Sequence, residues 1–197
     1  MKRELEIEEI ISYGYESNTF VVKSESGAIL FDAGATVNDI DAVLEGSKVL
    51  AVFITHSHFD HILRLDDYSS RYNVPVYISK IGIERLFDAE KNLSTLFLGT
   101  PIVVQSRDDI VALEDGEKIE IGDIAIRCIS AKGHSDCSMV YVVNERYAVV
   151  GDVLFENGIG RYDFYDGDYG KLFSSIKMAK RLSVEKYYPG HGEAFEK

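Results

Sequence analysis

ITHSHFDH, residues 54–61, places three of the chain's five histidines and an aspartate directly after the apolar run VLAVFIT at 49–55. The run is rich in β-branched and aromatic residues and reads as a strand. In the following HILRLDDYSSRY, at 61–72, Ile62, Leu65, Tyr68 and Tyr72 fall on one helical face. The polar cluster therefore lies where a strand passes into a helix. In an extended strand end His56 and His58 point to the same side, so both imidazoles can reach one cation. Asp60 and His61, at the turn into the helix, can face a second cation beside the first.

Working outward, ELEIEEII (4–11), NTFVVKS (18–24) and GAILFDAG (27–34) read as an antiparallel meander, and VNDIDAVLE (37–45) as a helix. Asn73-Val74-Pro75 stops the helix begun at His61. VPVYISK (74–80) is then a strand and IGIERLFDAEKN (81–92) a helix. The second half starts near Thr100 and runs through the strand-like PIVVQ, EKIEIGDIAIRCISA and SMVYVVNERYAVVGD, with turns at Gly122-Asp123 and Asn144-Glu145. A helix over 168–183 and a short strand into KYYPG close it. This alternation predicts an α/β fold with helices packed outside β-sheets. A length of 197 residues fits a single domain spanning 1–197.

Three more polar residues follow apolar, strand-like runs beside glycine: His134 in SAKGHS, Asp152 in VVGDVLF and His191 in YYPGHG. Taken singly they are weak signals, since a lone histidine is more often structural and an aspartate after glycine more often forms a turn. Together with His56, His58, Asp60 and His61 they make seven candidate metal ligands and use every histidine in the chain. A carboxylate such as Asp152 can bridge two cations, because its oxygens have separate lone pairs. Asp32, in LFDAG, either caps a turn or hydrogen-bonds a ligand histidine. Cys128 and Cys137 read as small buried hydrophobes.

Composition narrows the partners. With 21 basic and 33 acidic residues the formal charge is −12, which repels nucleic acid and anionic lipid. The first ten residues turn acidic without an apolar core behind them, and no run approaches a membrane span. Two cysteines make a disulfide framework improbable and fit a reducing compartment, so a cytoplasmic protein acting on a small molecule is expected. Oligomeric state is left open.

The ordered set T-H-S-H-F-D-H, G-H at 133–134, G-D at 151–152 and P-G-H-G at 189–192 resembles the metallo-β-lactamase superfamily, over nearly the whole chain. Within it, GDVLFENGIGRYDFYDGDYGKLFSSI is similar to the glyoxalase II group. The resemblance implies a four-layer αββα sandwich with its metal site at one edge of the paired sheets. It also implies two divalent ions, zinc foremost with iron or manganese as alternatives. His56, His58 and His134 would bind the first, Asp60, His61 and His191 the second, and Asp152 both. The reaction implied is hydrolysis of a thioester by a metal-bound hydroxide that Asp60 orients and deprotonates.

Arg161 and Tyr162 would contact substrate, with a surface salt bridge the equal alternative for Arg161. Two segments depart from the family pattern: Ile62-Leu63-Arg64 after the cluster, and Ala131-Lys132-Gly133-His134-Ser135 in place of T-P-G-H-T. Both bear on substrate contacts. The short stretch after His191 matches single-domain members, so glutathione specificity does not follow. The competing readings are a mononuclear iron persulfide dioxygenase, which keeps two histidines and one aspartate, and a metal-binding module without catalysis.

Overall fold

The computed structural model describes residues 5–105 and 108–197. The first half supplies β1 (Glu6–Ile11), β2 (Asn18–Ser24), β3 (Gly27–Phe31), α1 (Val37–Leu44), β4 (Val49–Phe53), α2 (Phe59–Ile62), α3 (Leu65–Tyr72), β5 (Val76–Ser79), α4 (Lys80–Leu86), α5 (Ser94–Leu98) and β6 (Ile110–Leu113). The second supplies β7 (Lys118–Ile121), β8 (Ile124–Ser130), β9 (Met139–Val143), β10 (Tyr147–Gly151), β11 (Leu154–Phe155), β12 (Gly158–Ile159), α6 (Tyr169–Arg181), β13 (Lys186–Pro189) and β14 (Phe195–Glu196). One six-stranded sheet runs β1-β2-β3-β4-β5-β6 and the other β14-β13-β10-β9-β8-β7, with β11 and β12 forming a small separate hairpin. β1 to β3 are antiparallel, as expected of the meander, whereas β3 to β6 are parallel.

The central strands are apolar at nearly every position because both of their faces are covered. Along β2 to β4, Val21, Leu30 and Val52 point into a core shared with Ile40 of α1 and with Leu65 and Tyr68 of α3. Their neighbours Phe20, Phe31 and Phe53 point the other way, against Ile126, Met139 and Tyr141 of the second sheet. In β9 and β10, Val140, Val142 and Val150 pack under Leu172, Ile176 and Ala179 of α6. Period-two alternation thus splits the interior into three apolar layers between four structural ones, the αββα sandwich. Among the described residues, no helix is long and apolar enough to cross a membrane.

Three expectations change. The helix over 61–72 is broken: Ala33 N–H donates to the His61 carbonyl and Arg64 N–H donates to the Ala33 carbonyl, so the turn after β3 is wedged between α2 and α3. The helix over 81–92 ends at Leu86. There the Asp88 carboxylate accepts from the Glu90 and Lys91 amides and forms a turn instead. PIVVQ is not a strand; Val104 N–H donates to the Leu86 carbonyl, which ties this segment to α4, and β6 forms later, parallel to β5.

Candidate metal centre

His56 lies just past β4, His58 is the residue before α2, and Asp60 and His61 occupy the first turn of α2. His134 sits in the turn after β8, Asp152 just past β10 and His191 just past β13. All seven candidates therefore gather at the carboxyl ends of strands from both sheets. Bonds between the sheets fix this meeting: Met139 N–H donates to the Thr55 carbonyl at 2.8 Å, and the Tyr141 hydroxyl to the Ile54 carbonyl at 2.7 Å. At Gly190 a Cβ would run into the Asp152 carboxylate and the His61 ring, so only glycine lets that loop approach.

Two donor groups result. His56 Nε2, His58 Nδ1 and His134 Nε2 lie 2.9–3.2 Å from one another. Neighbouring bonds assign two of these nitrogens. Thr55 donates its hydroxyl proton to Asp32 at 2.8 Å, so at 3.1 Å it accepts from His56 Nδ1–H. His134 Nδ1–H donates to the Arg161 carbonyl at 2.8 Å. The Nε2 lone pairs of His56 and His134 then face each other at 3.2 Å, an arrangement a shared cation stabilises. Tetrahedral ligands about 2.0–2.1 Å from a metal sit roughly 3.3 Å apart, close to the spacing here. Burial first, and the neighbouring imidazoles second, hold His56 and His58 well below the ordinary histidine range and therefore neutral.

The second group is Asp60, His61 and His191. His61 Nδ1–H donates to Asp32 at 2.8 Å, which turns Nε2 towards Asp60 and Asp152 at 3.5 Å each. His191 Nδ1–H donates to the Glu16 carbonyl at 2.9 Å, leaving Nε2 at 3.2 Å from Asp60. Burial opposes charge on His61, but Asp60, Asp32 and Asp152 outweigh it and raise its pKa to about 10. Burial likewise opposes ionisation of Asp60, and the surrounding histidines overcome it, holding the carboxyl well below its usual range. The Asp152 carboxylate reaches both groups: one oxygen lies 3.5 Å from His134 Nε2 and 3.6 Å from His191 Nε2, the other 3.5 Å from His61 Nε2. His61 Nε2 and Asp152 Oδ1 are buried without a hydrogen-bond partner. Seven inward-facing N and O donors, some otherwise unsatisfied, fit a pair of divalent cations.

Above the donors opens a cavity of about 480 Å³ walled by aromatic and aliphatic side chains, among them Tyr15, Phe59, Phe97, Phe155 and Phe164. Arg161 lines it, yet its guanidinium forms a two-pronged pair with Asp163 at 2.8 and 2.9 Å and lies over the Phe164 ring. Tyr162 packs against Tyr169 and is not among the lining residues; nor are Arg64 and Lys132. Asp32 takes the histidine-bonding role of its two expected ones, while its backbone occupies the left-handed region at φ 62°.

Several supporting groups had no sequence signal. Asn18 donates to the Pro189 and Gly192 carbonyls at 3.0 and 2.7 Å and clamps the His191 loop. Buried Arg85 pairs with Asp166 and Asp136 and donates to Ser135 beside His134, tying α4 to that loop.

The sequence model described as the metallo-beta-lactamase superfamily matches residues 13–191. The chain belongs to the metallo-β-lactamase superfamily. It is 32% identical to the probable metallo-hydrolase YqgX of Bacillus subtilis, over 90% of this chain and 85% of that protein. A solved structure named as BLEG-1, a B3 metallo-β-lactamase, superposes with a TM-score of 0.91 at 29% identity, covering 97% of this chain and 94% of the other. TTHA1623, described in a di-iron-bound form, superposes with a TM-score of 0.81 at 25% identity, covering 96% of this chain and 94% of that one. As a superfamily member the chain carries its donors where two sheets meet, and the four-layer fold expected from the resemblance is the one observed.

Proposed function

We propose that this chain is a glyoxalase II-like, dinuclear metallo-hydrolase that cleaves a thioester in the cytoplasm. The observation that carries the reading is one carboxylate, Asp152, within reach of two separate groups of convergent donors. His56, His58 and His134 would hold one ion and Asp60, His61 and His191 the other. Such ions, when bound, supply Lewis acidity that makes water acidic near neutral pH and stabilises charge on a carbonyl oxygen.

The chain's own groups do the rest. Asp60, ionised at neutral pH, orients the attacking water and takes its proton. The water oxygen bonds to the acyl carbon, the C–S bond breaks, and the proton passes to the departing thiolate, giving a carboxylic acid and a thiol. Because a thiolate leaves readily, no further acid is needed. Asp32, through His61, and the Arg161 carbonyl, through His134, hold the imidazoles in the tautomers the site requires. Cys128 and Cys137, buried and unpaired, support a reducing compartment.

The di-iron form of TTHA1623 supports two ions over one and iron as a candidate beside zinc and manganese. The second donor group also weighs against the single-iron persulfide dioxygenase reading. The B3 lactamase name of BLEG-1 supports a β-lactam as the second substrate reading. Protein reconstituted separately with zinc, iron and manganese is to be assayed on thioesters, lactones, a chromogenic β-lactam and, by oxygen uptake, glutathione persulfide. Thioester hydrolysis with two metals per chain is expected. Oxygen uptake with one iron, or hydrolysis of nothing in the panel, would overturn the proposal.

A further inference from the structure

The walls of the cavity above the donors point to the kind of thioester it takes. Arg161 is the one lysine or arginine among its described lining residues, and Asp163 already holds that guanidinium by two hydrogen bonds. A second cavity of about 660 Å³ adjoins the first, sharing Leu93, Phe97, Arg161 and Phe164. Its cations are Arg161 and Lys91, its acids Glu90 and Asp163, and the Lys91 ammonium sits 2.9 Å from Glu84. Away from the metal donors at the floor, no described side chain lining either cavity presents an uncommitted cation, and the formal charge of −12 sets an unfavourable field for anions. Burying the carboxylate or phosphate of a thiol arm against these walls, away from the metal donors, would leave it unpaired and costly. The aromatic rings offer the opposite: Tyr15 meets Phe59 at 5.1 Å, and Phe97 meets both Phe59 and Phe164 at 5.8 Å, a continuous apolar wall.

Resting on the thioesterase reading above, we infer that the substrate is a thioester with an apolar or aromatic acyl group on an uncharged thiol arm, and not one carried by an anionic thiol such as glutathione. Phe97 is the ring that meets the acyl group, and the Asp163 carboxylate is what denies Arg161 to anionic carriers.

The test separates binding from turnover. Metal-loaded protein is titrated calorimetrically with two non-hydrolysable thioethers, the S-phenacyl derivatives of N-acetylcysteamine and of glutathione. The neutral ligand is expected to bind at least tenfold more tightly. In Phe97→Ala, a half-exposed position, it weakens about tenfold with metal content unchanged. In Asp163→Asn, which frees Arg161, the glutathione derivative gains and the preference narrows. Equal or tighter binding of the glutathione derivative by the unmodified protein, or binding of neither ligand, overturns the inference. Hydrolysis of S-benzoyl-N-acetylcysteamine is measured alongside. Its absence with the binding preference intact would sink the thioesterase reading and leave the ligand class standing.

Discussion

The two donor groups lie side by side yet differ in charge. His56, His58 and His134 present three imidazole nitrogens, with Asp152 as the nearest carboxylate to His134. Asp60, His61 and His191 are surrounded by acids, with Asp152 in front and Asp32 behind His61. The consequence shows in the protons. His56 and His58 disfavour them and keep their lone pairs free, whereas in the second group the carboxylates draw a proton to His61 and raise His191 as well. Softness and geometry would select a cation in the first group, and charge would attract one to the second.

Breaking the shared element should have the largest effect. Asp152→Ala removes the carboxylate common to both groups, and hydrolysis should fall by about a thousandfold, as expected from losing roughly 4 kcal/mol of transition-state stabilisation. Elemental analysis should show both metals weakened. His58→Ala, by contrast, should empty the first group and spare the second, leaving close to one metal per chain. Two metals retained in either variant would contradict the assignment.

Asp32→Asn sharpens the contrast from the other side. Asparagine tolerates the left-handed backbone at φ 62° and keeps the shape, but weakens the acceptor behind His61. Metal affinity of the second group should drop about 10- to 100-fold while the first is unaffected. Equal losses at both would mean that Asp32 supports the whole centre through Thr55. Protonation gives a gentler version of the same test. With the metal stripped, His61 is protonated up to about pH 10, so a cation entering the second group must displace that proton. Affinity there should rise about tenfold per pH unit above neutrality, and less steeply in the first group, where His56 and His58 are held neutral. The sign for stability follows: a raised histidine pKa stabilises the metal-free fold below about pH 6.5, and that contribution fades as pH climbs towards 10. Parallel pH slopes for both metals would refute the asymmetry.

How far the sequence reveals this centre depends on the chemistry of each part. Donor side chains are legible because histidine is scarce and each one follows an apolar run, so strand ends and ligands announce each other. The groups that orient them are not. Glu16 and Arg161 act through backbone carbonyls, which every residue owns, so no residue type marks them. The Arg161 side chain, read either as a substrate contact or as a surface salt bridge, lines the cavity and pairs with Asp163, while the bond to His134 comes from its carbonyl. Arg85 and Asp166 meet across 81 positions, a distance that periodicity does not span. In the fold, the long apolar strands are legible because both faces are buried. The short β6, β11, β12 and β14 are set by their neighbours, and PIVVQ, despite its strand composition, is tied to α4 by the Val104 N–H on the Leu86 carbonyl.

Asn18 tests whether the His191 loop needs its clamp. Its side-chain amide donates to the carbonyls on either side of the Gly190-His191 pair, and its own backbone N–H donates to the Gly190 carbonyl at 2.7 Å. Asn18→Ala keeps the backbone bond and removes the other two, leaving two carbonyls short of a donor, a cost of about 1–3 kcal/mol. For a chain of this size that lowers the melting temperature by roughly 2–4 °C per kcal/mol. Because His191 belongs to the second group only, the loss should be larger with metal bound than with metal stripped, when the loop has less to hold in register. Differential scanning of both forms measures this directly. A shift of the same size in both would make Asn18 a strand-pairing residue with no bearing on the metal loop.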